Sequence, residues 1–326
     1  MIRFMPLVEN EVLKVLRRRR FIIVVAILTA ILSVIAYSQY KQLEGRNRKN
    51  WRAEVQQRLA RYENALRRER VPPTWARSMR AESARLQFYL DHDIDPERPT
   101  APFFARTFAN AAGFLLLPLL VAVLGSDIVS AEAAEGTDKL LLTRPVRRWK
   151  ILGSKLAALF IFTTLTLLIG GLLAYAISSS VLDPRGWTAP VFNGFQLSDK
   201  GVDLSSVRQL PLWKDSLIAF GLDWFAMLSV ASIALLLSVI YRSSAASIGT
   251  MMAALIGGTI LTRVSPDWTA GKYLFVTALP LASYYSGEAP PYDGMTLGFN
   301  LTLLSVWAGA ALIAAFVIFI RRDVFG

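Results

Sequence analysis

Cysteine is absent from the 326 residues, histidine occurs once, at His92, and no G-x-x-x-x-G-K-[ST] stretch is found. The first absence excludes disulfides, thiolate metal sites and cysteine nucleophiles. The second leaves no Ser-His-Asp arrangement within the apolar segments, so no catalytic residue, bound cofactor or metal is expected on this chain. The third removes a phosphate-cradling loop. The nearest fragment, Gly153-Ser154-Lys155, lacks the upstream glycine and opens an apolar run. Charge is scarce as well, at 18% of residues, where soluble domains carry about 25%.

Long apolar runs fill the place of the missing charge. Six are long enough to cross a bilayer: Phe21 to Tyr40, Phe108 to Ile128, Ile151 to Ser178, Leu217 to Tyr241, Ala246 to Leu261 and Leu297 to Ile320. Backbone groups in lipid must be satisfied within the segment, which makes these helices, and none alternates with the period of two that a membrane barrel requires. The fold class is therefore an all-α polytopic membrane protein with six transmembrane helices. The first run follows a basic stretch, as a signal peptide would, but it is long and lacks an A-x-A site, so it reads as a retained span. A net charge of +12 then reflects basic residues facing lipid headgroups, and nucleic acid is not expected as a partner.

The segment Ala131 to Ala157, AEAAEGTDKLLLTRPVRRWKILGSKLA, is a strongly basic connection between two apolar runs. It must sit at a membrane face, and its charge points to the cytoplasmic one. Short segments on that side hold fourteen Lys and Arg: Arg3, Lys14, Arg17 to Arg20, Lys139, Arg144, Arg147, Arg148, Lys150, Arg242, Arg321 and Arg322. The other side's short loops hold six: Arg185, Lys200, Arg208, Lys214, Arg263 and Lys272. Both termini are thus expected in the cytoplasm of a multi-pass protein of the cell membrane.

Three regions follow: 1–40, an N-terminal helix and the first span; 41–106, an outer insertion; and 107–326, the other five spans. Within the insertion, Trp51, Val55, Leu59, Tyr62 and Leu66 form one apolar helical stripe, and Trp75, Met79, Leu86 and Leu90 a second. Val71-Pro72-Pro73 separates them, so an extracellular helical hairpin is expected. Asp91, His92, Asp93 and Asp95 suit either a metal site or a solvated helix end. In the outer segment 264–296, the short apolar piece Tyr273 to Tyr285, broken by Pro280, suits a re-entrant or interfacial element.

Ionisable groups inside spans are costly and mark function or packing. Asp223 is the main case, with Arg106 and Arg263 at comparable depth as partners, forming either a structural ion pair or a substrate contact. Asp127 and Lys155 lie near enough to the inner face to reach water. Ala245, Gly249, Ala253 and Gly257 form a small-residue stripe for close helix approach.

The order of these features resembles the membrane subunits of type-2 ABC transporters. Glu132, Glu135-Gly136-Thr137, Leu140 to Leu142, Pro145, Arg147 or Arg148, and Lys155 look like that family's pattern after its second span. Glu11, Lys14 and Arg17 to Arg20 look like its amphipathic helix before the first span, and Phe316, Phe319 and Arg321-Arg322-Asp323 like its C-terminal end. The outer insertion, with Asn50-Trp51 and Phe88 to Pro96, resembles a subgroup carrying a helical extracellular domain.

The resemblance implies a permease, most often an exporter, in which two copies or two paralogues assemble with ABC ATPase subunits that carry ATP and Mg. Within 129–150, Glu132, Glu135, Gly136, Thr137, Leu140, Leu141, Pro145, Arg147 and Arg148 would couple to the ATPase. The N-terminal helix, with Glu11, Lys14, Arg17 and Arg18, would lie at the membrane interface; there Met5, Val8, Val12 and Val15 would face lipid and Glu11, Lys14 and Arg18 water. A non-transporting sensor or scaffold using the hairpin is the alternative. A secondary transporter is disfavoured because no internal repeat is evident.

Overall fold

A computed structural model describes residues 4–44, 51–67, 73–136, 146–198, 201–203, 207–265 and 268–321. In chain order the first helices are α1 (Phe4–Arg17), α2 (Arg20–Glu44), α3 (Trp51–Leu66), α4 (Pro73–Asp91), α5 (Ala101–Phe114), α6 (Leu116–Asp127), α7 (Ser130–Ala134) and α8 (Arg148–Ser179). Four short strands follow: β1 (Pro190–Asn193), β2 (Gln196–Ser198), β3 (Gly201–Asp203) and β4 (Arg208–Pro211). The chain ends with α9 (Leu212–Ile240), α10 (Ser244–Val264), the 3-10 turn Thr269–Tyr273, α11 (Phe275–Ala278), α12 (Leu281–Tyr285) and α13 (Leu297–Arg321).

Five described helices, α2, α8, α9, α10 and α13, are long and apolar enough to cross a membrane, and α5 with α6 makes a sixth if the bent pair is one span. The second apolar run is thus not the single helix Phe108 to Ile128 that hydropathy predicts. It starts earlier, at Ala101 with Pro102 in its first turn, and bends by 56° at Leu115. Pro118 explains the break: it has no N–H for the Phe114 carbonyl, and its ring collides with that group. Leu115 leaves helical angles (φ −143°), and the ladder resumes where the Leu119 amide donates to the Leu115 carbonyl at 3.0 Å.

Helix α9 is the axis of the bundle. Two-thirds of its most apolar window (67%) is buried, against 17% for α13 and 22% for α10. Its sequence offers a small side chain at every turn, including Ala219, Ala226, Val230, Ala234 and Ser238, all buried, so neighbouring backbones approach closely. Helices α5, α6, α8, α10, α12 and α13 pack around it. The stripe Ala245, Gly249, Ala253 and Gly257 on α10 faces outward and meets no other described helix of the chain.

The bundle has two polar ends. One carries α1, α7, the start of α8 and the end of α13, joined where the Arg148 guanidinium donates to the Ile320 carbonyl at 2.8 Å. The opposite end carries the α3–α4 hairpin, whose helices match the two predicted stripes and pack together, with Val55 and Leu86 buried. The Val71-Pro72 break lies outside the described residues. An element that the sequence does not signal joins them, two short ribbons in an otherwise all-helical chain: β1 pairs antiparallel with β4 and β2 with β3. Phe192 and Phe195 of this ribbon pack on Tyr89 of α4. The segment 275–285 is two short helices parted at Pro280, with Ala278, Leu279 and Leu281 fully buried.

Candidate functional site

At the α1 end, Lys155 is 0% exposed, although its position near the end of an apolar run predicts contact with water. A buried ammonium requires partners for all three protons, and Lys155 has them. Its Nζ donates to Glu11 Oε2 at 2.8 Å and the Ile128 carbonyl at 3.1 Å, and lies 2.7 Å from Glu132 Oε2. Lys14 Nζ donates to the other oxygens of the same carboxylates, Glu11 Oε1 at 2.7 Å and Glu132 Oε1 at 2.6 Å. Two lysines and two glutamates therefore alternate in a closed, neutral ring that ties α1, α7 and α8 together.

This ring changes the orientation expected for α1. Glu11 turns inward rather than toward water, and Val8 is buried beside it. The apolar residues left outermost on α1 are Met5, Leu13 and Leu16. The cause is Lys155: without the inward carboxylates its charge would be uncompensated. Burial alone would lower the Lys14 pKa and raise that of Glu132. The hydrogen bonds and opposite charges of the ring override it, holding Lys14 above its ordinary 10.5 and Glu132 below its ordinary 4.5.

Arginines extend the ring outward. Arg18 meets both oxygens of Glu135, at 2.9 and 2.8 Å, and reaches Asp127 at 3.5 Å. Arg20 also pairs with Asp127. The α7 amides are held from α9, because Ser238 Oγ accepts from Val129 and Ser130 N–H at 2.9 Å each. Gly136 then ends the helix with φ +68°, a left-handed angle that glycine adopts without penalty. Arg147 is the exposed residue before α8 and Arg148 begins that helix; Arg17 closes α1. Thr137, Leu140, Leu141, Leu142 and Pro145 lie outside the described residues. The residues missed as members of this cluster, Lys155 and Asp127, were signalled by the rule that a charge within an apolar run needs a partner.

At the hairpin end, Arg106 does not pair with Asp223. Its Nε donates to Asp215, Nη1 to Asn110 at 2.6 Å and Nη2 to Ser286 at 2.7 Å. Asn193 of β1 donates to the same Asp215. This knot joins α5, α9, the ribbon and the end of α12, and it engages all three guanidinium nitrogens. Arg263 takes another partner too: it lies over the Phe114 ring, 5.6 Å from its centre. Asp223 is fully buried and neither oxygen has a hydrogen-bond partner among the described residues. It presses against Gly113, where an added Cβ would lie 2.5 Å from Oδ1.

Above this floor is a cleft of about 1650 Å³. The bend at Leu115 creates it: α10 packs along α6, while α5 turns away from both. Phe103, Thr107, Asn110 and Phe114 of α5 form one wall, Thr259, Thr262 and Arg263 of α10 another, and α4 with 276–291 covers it. His92 takes no part. Its Nδ1 lies 2.8 Å from the Phe88 carbonyl, Asp93 pairs with Arg52, and Asp95 accepts from the Glu97 amide. Among the described residues no group of three His, Asp or Glu is placed to hold a metal.

Comparison with known proteins agrees with a membrane chain of this length. The uncharacterized protein YhcI of Bacillus subtilis (strain 168) is 25% identical over 320 residues, 98% of each chain. The uncharacterized membrane protein YdbK of the same organism is 27% identical over 232 residues, 68% of this chain and 86% of YdbK. The family described as protein of unknown function DUF2705 matches residues 77–325, which takes in the bent span, most of the residues lining the cleft and all of the later spans. A match over most of the chain settles its kinship: this multi-span helical membrane protein belongs to the DUF2705 family.

Proposed function

We propose that this chain is the permease subunit of an ATP-driven ABC transporter, working as an exporter. It would form the translocation path and couple to a separate ATPase subunit that holds ATP and Mg. Both termini would lie in the cytoplasm, and a second permease copy or paralogue would complete the complex, with the outward small-residue stripe of α10 available for helix contact. One observation carries the reading. Glu11, Lys14 and Arg18 of the N-terminal helix, Glu132 and Glu135 after the second span, and Lys155 of the third converge into one ion-paired network.

The mechanical sense of that network is transmission. A loop that receives force from an ATPase must be fixed to the spans it moves, or the push dissipates in the loop. Ion pairs to α1, the Ser238 cap from α9 and the Lys155 ring on α8 anchor the α7 side of the 137–147 segment. Displacement of that segment would then bias α6, α8 and α9 together, a rigid-body transition between two packings.

The experiment is purification from the native host in mild detergent, comparing wild type with Glu135→Arg. A soluble ATPase that co-purifies with the wild type and is lost in the variant is expected. Absence of any ATPase after gentle cross-linking overturns the reading. The second reading, a sensor or scaffold, is favoured by the cleft beneath α4. It requires function to survive Glu135→Arg and to vanish when 45–96 is removed.

A further inference from the structure

Three arginines line the cleft: Arg85, which donates to Glu82 at 3.1 Å, Arg106, with N–H groups engaged by Asp215, Asn110 and Ser286, and Arg263 in the α10 wall. Arg263 has none of its donors so engaged among the described residues; its recorded contact is the face of Phe114. With no hydrogen bond among the described residues, its N–H groups are available to an oxyanion, which a guanidinium binds through paired hydrogen bonds. Thr259 and Thr262 stand on the same helix at the cleft wall. Each hydroxyl donates to a backbone carbonyl, at 2.8 Å in both cases, leaving its oxygen as an acceptor only. Arg263 is therefore the donor group of the α10 wall.

The surroundings restrict what that oxyanion belongs to. Glu54, Glu97 and Glu288 line the hairpin side of the cleft together with Arg85, and Glu97 is paired with Arg58 at 2.6 Å, so that side carries both signs of charge. Along α10 the approach is apolar and exposed: Ile256, Ile260 and Val264 face outward, the last of them 72% exposed. The volume, about 1650 Å³, exceeds the roughly 300–1,000 Å³ of an ordinary small-molecule pocket. A ligand with an apolar tail on Phe103, Phe114 and Val276 and an anionic head on Arg263 matches this distribution.

We infer that the cleft between α5 and α10 binds an anionic amphiphile, a lipid-like molecule whose phosphate or carboxylate head is held by Arg263 and whose chain lies along α5. If the chain is a permease, this names its class of cargo, and in that form the inference rests on the transporter reading; binding itself needs no ATPase.

The natural lack of cysteine makes the test direct. A fluorophore is placed on Thr262→Cys in the full chain, purified in a neutral maltoside detergent. It is titrated with dodecyl phosphate, inorganic phosphate and dodecyltrimethylammonium. Dodecyl phosphate is expected to shift the emission saturably, and the other two not to do so at tenfold higher concentration. Arg263→Gln is expected to weaken dodecyl phosphate by about tenfold or more, and Arg263→Lys to recover part of it. Arg263 is surface-exposed at a helix end, and matching elution profiles and unlabelled melting curves establish that the variants fold.

Equal binding by Arg263→Gln, equal response to the cationic amphiphile, or tight binding of inorganic phosphate alone each overturns the inference. Binding in a chain with no ATPase partner removes the transporter reading and leaves this one standing. Failure to bind in a chain that co-purifies with an ATPase does the reverse.

Discussion

The two ends of the bundle treat buried charge in opposite ways. At the α1 end, Glu11, Lys14, Glu132 and Lys155 close a ring in which every carboxylate oxygen meets an ammonium. At the hairpin end, Arg106 is held by Asp215, Asn110 and Ser286, the Asp223 carboxyl has no hydrogen-bond partner among the described residues, and Arg263, exposed at the end of α10, lies beside the Phe114 ring. Satisfied charge in a dry interior rigidifies, whereas unsatisfied charge marks a place where something binds or moves. The first end suits an anchor and the second a space awaiting an occupant.

Breaking the ring has the largest expected effect. Lys155→Met leaves Glu11 and Glu132 sharing the single ammonium of Lys14, and removal of one partner from a buried ion pair costs about 3–5 kcal/mol. Thermal unfolding in detergent should show a large fall in midpoint, and adding Glu132→Gln should restore part of it. A fall no larger than that of a surface substitution would show that the ring does not hold the end together.

The ring also has a pH window. Glu132 titrates below its ordinary 4.5 in the folded chain, so its contribution is present above 4.5 and is lost as pH falls through the lowered value. Lys14 titrates above its ordinary 10.5, so its contribution is full below 10.5 and is lost as pH rises through the raised value. Release of α1, read as protease access at Arg17 to Arg20, should therefore be minimal across neutral pH and appear at both extremes. A change in access between pH 5 and 9 would contradict the assignment.

The hairpin end answers to smaller changes. In Gly113→Ala the new methyl would lie 2.5 Å from the Asp223 carboxylate, and such overpacking costs about 1–3 kcal/mol. Combining it with Asp223→Ala should relieve most of the loss. Additive losses would mean that Gly113 serves the bend at Leu115 rather than the carboxylate.

What the sequence made legible divides along the same line. Apolar runs longer than a bilayer is thick were readable as spans, and the stripes at 51–66 and in 75–90 as two helices, because period and length are local properties. Pro118 was visible but was read through, since the surrounding run is apolar enough to hide one missing hydrogen bond. Pairings were harder. Lys155 finds Glu11 across 144 positions and Arg106 finds Asp215 across 109. No local rule chooses between Asp215 and Asp223 for that arginine. The ribbon at 190–211 escaped notice because its strands are only three or four residues long. The charged segment after the second span was legible from its charge and its place between two apolar runs, and the ring that it joins only through geometry.

The finest comparison concerns Asp223 itself. A carboxyl group whose two oxygens lack donors contributes less than an amide of the same shape that brings its own N–H groups. If Asp223 serves only to fill the space at Gly113, Asp223→Asn should raise the unfolding midpoint slightly, equivalent to about 1 kcal/mol, and leave transport or signalling unchanged. If the acid is kept for what it does, the same substitution should stabilise the chain and impair its activity. The two outcomes differ only in the activity assay, so stability and function must be measured on the same preparation. A loss of both together would point instead to an unseen donor that reaches Asp223 when the α5–α6 bend straightens.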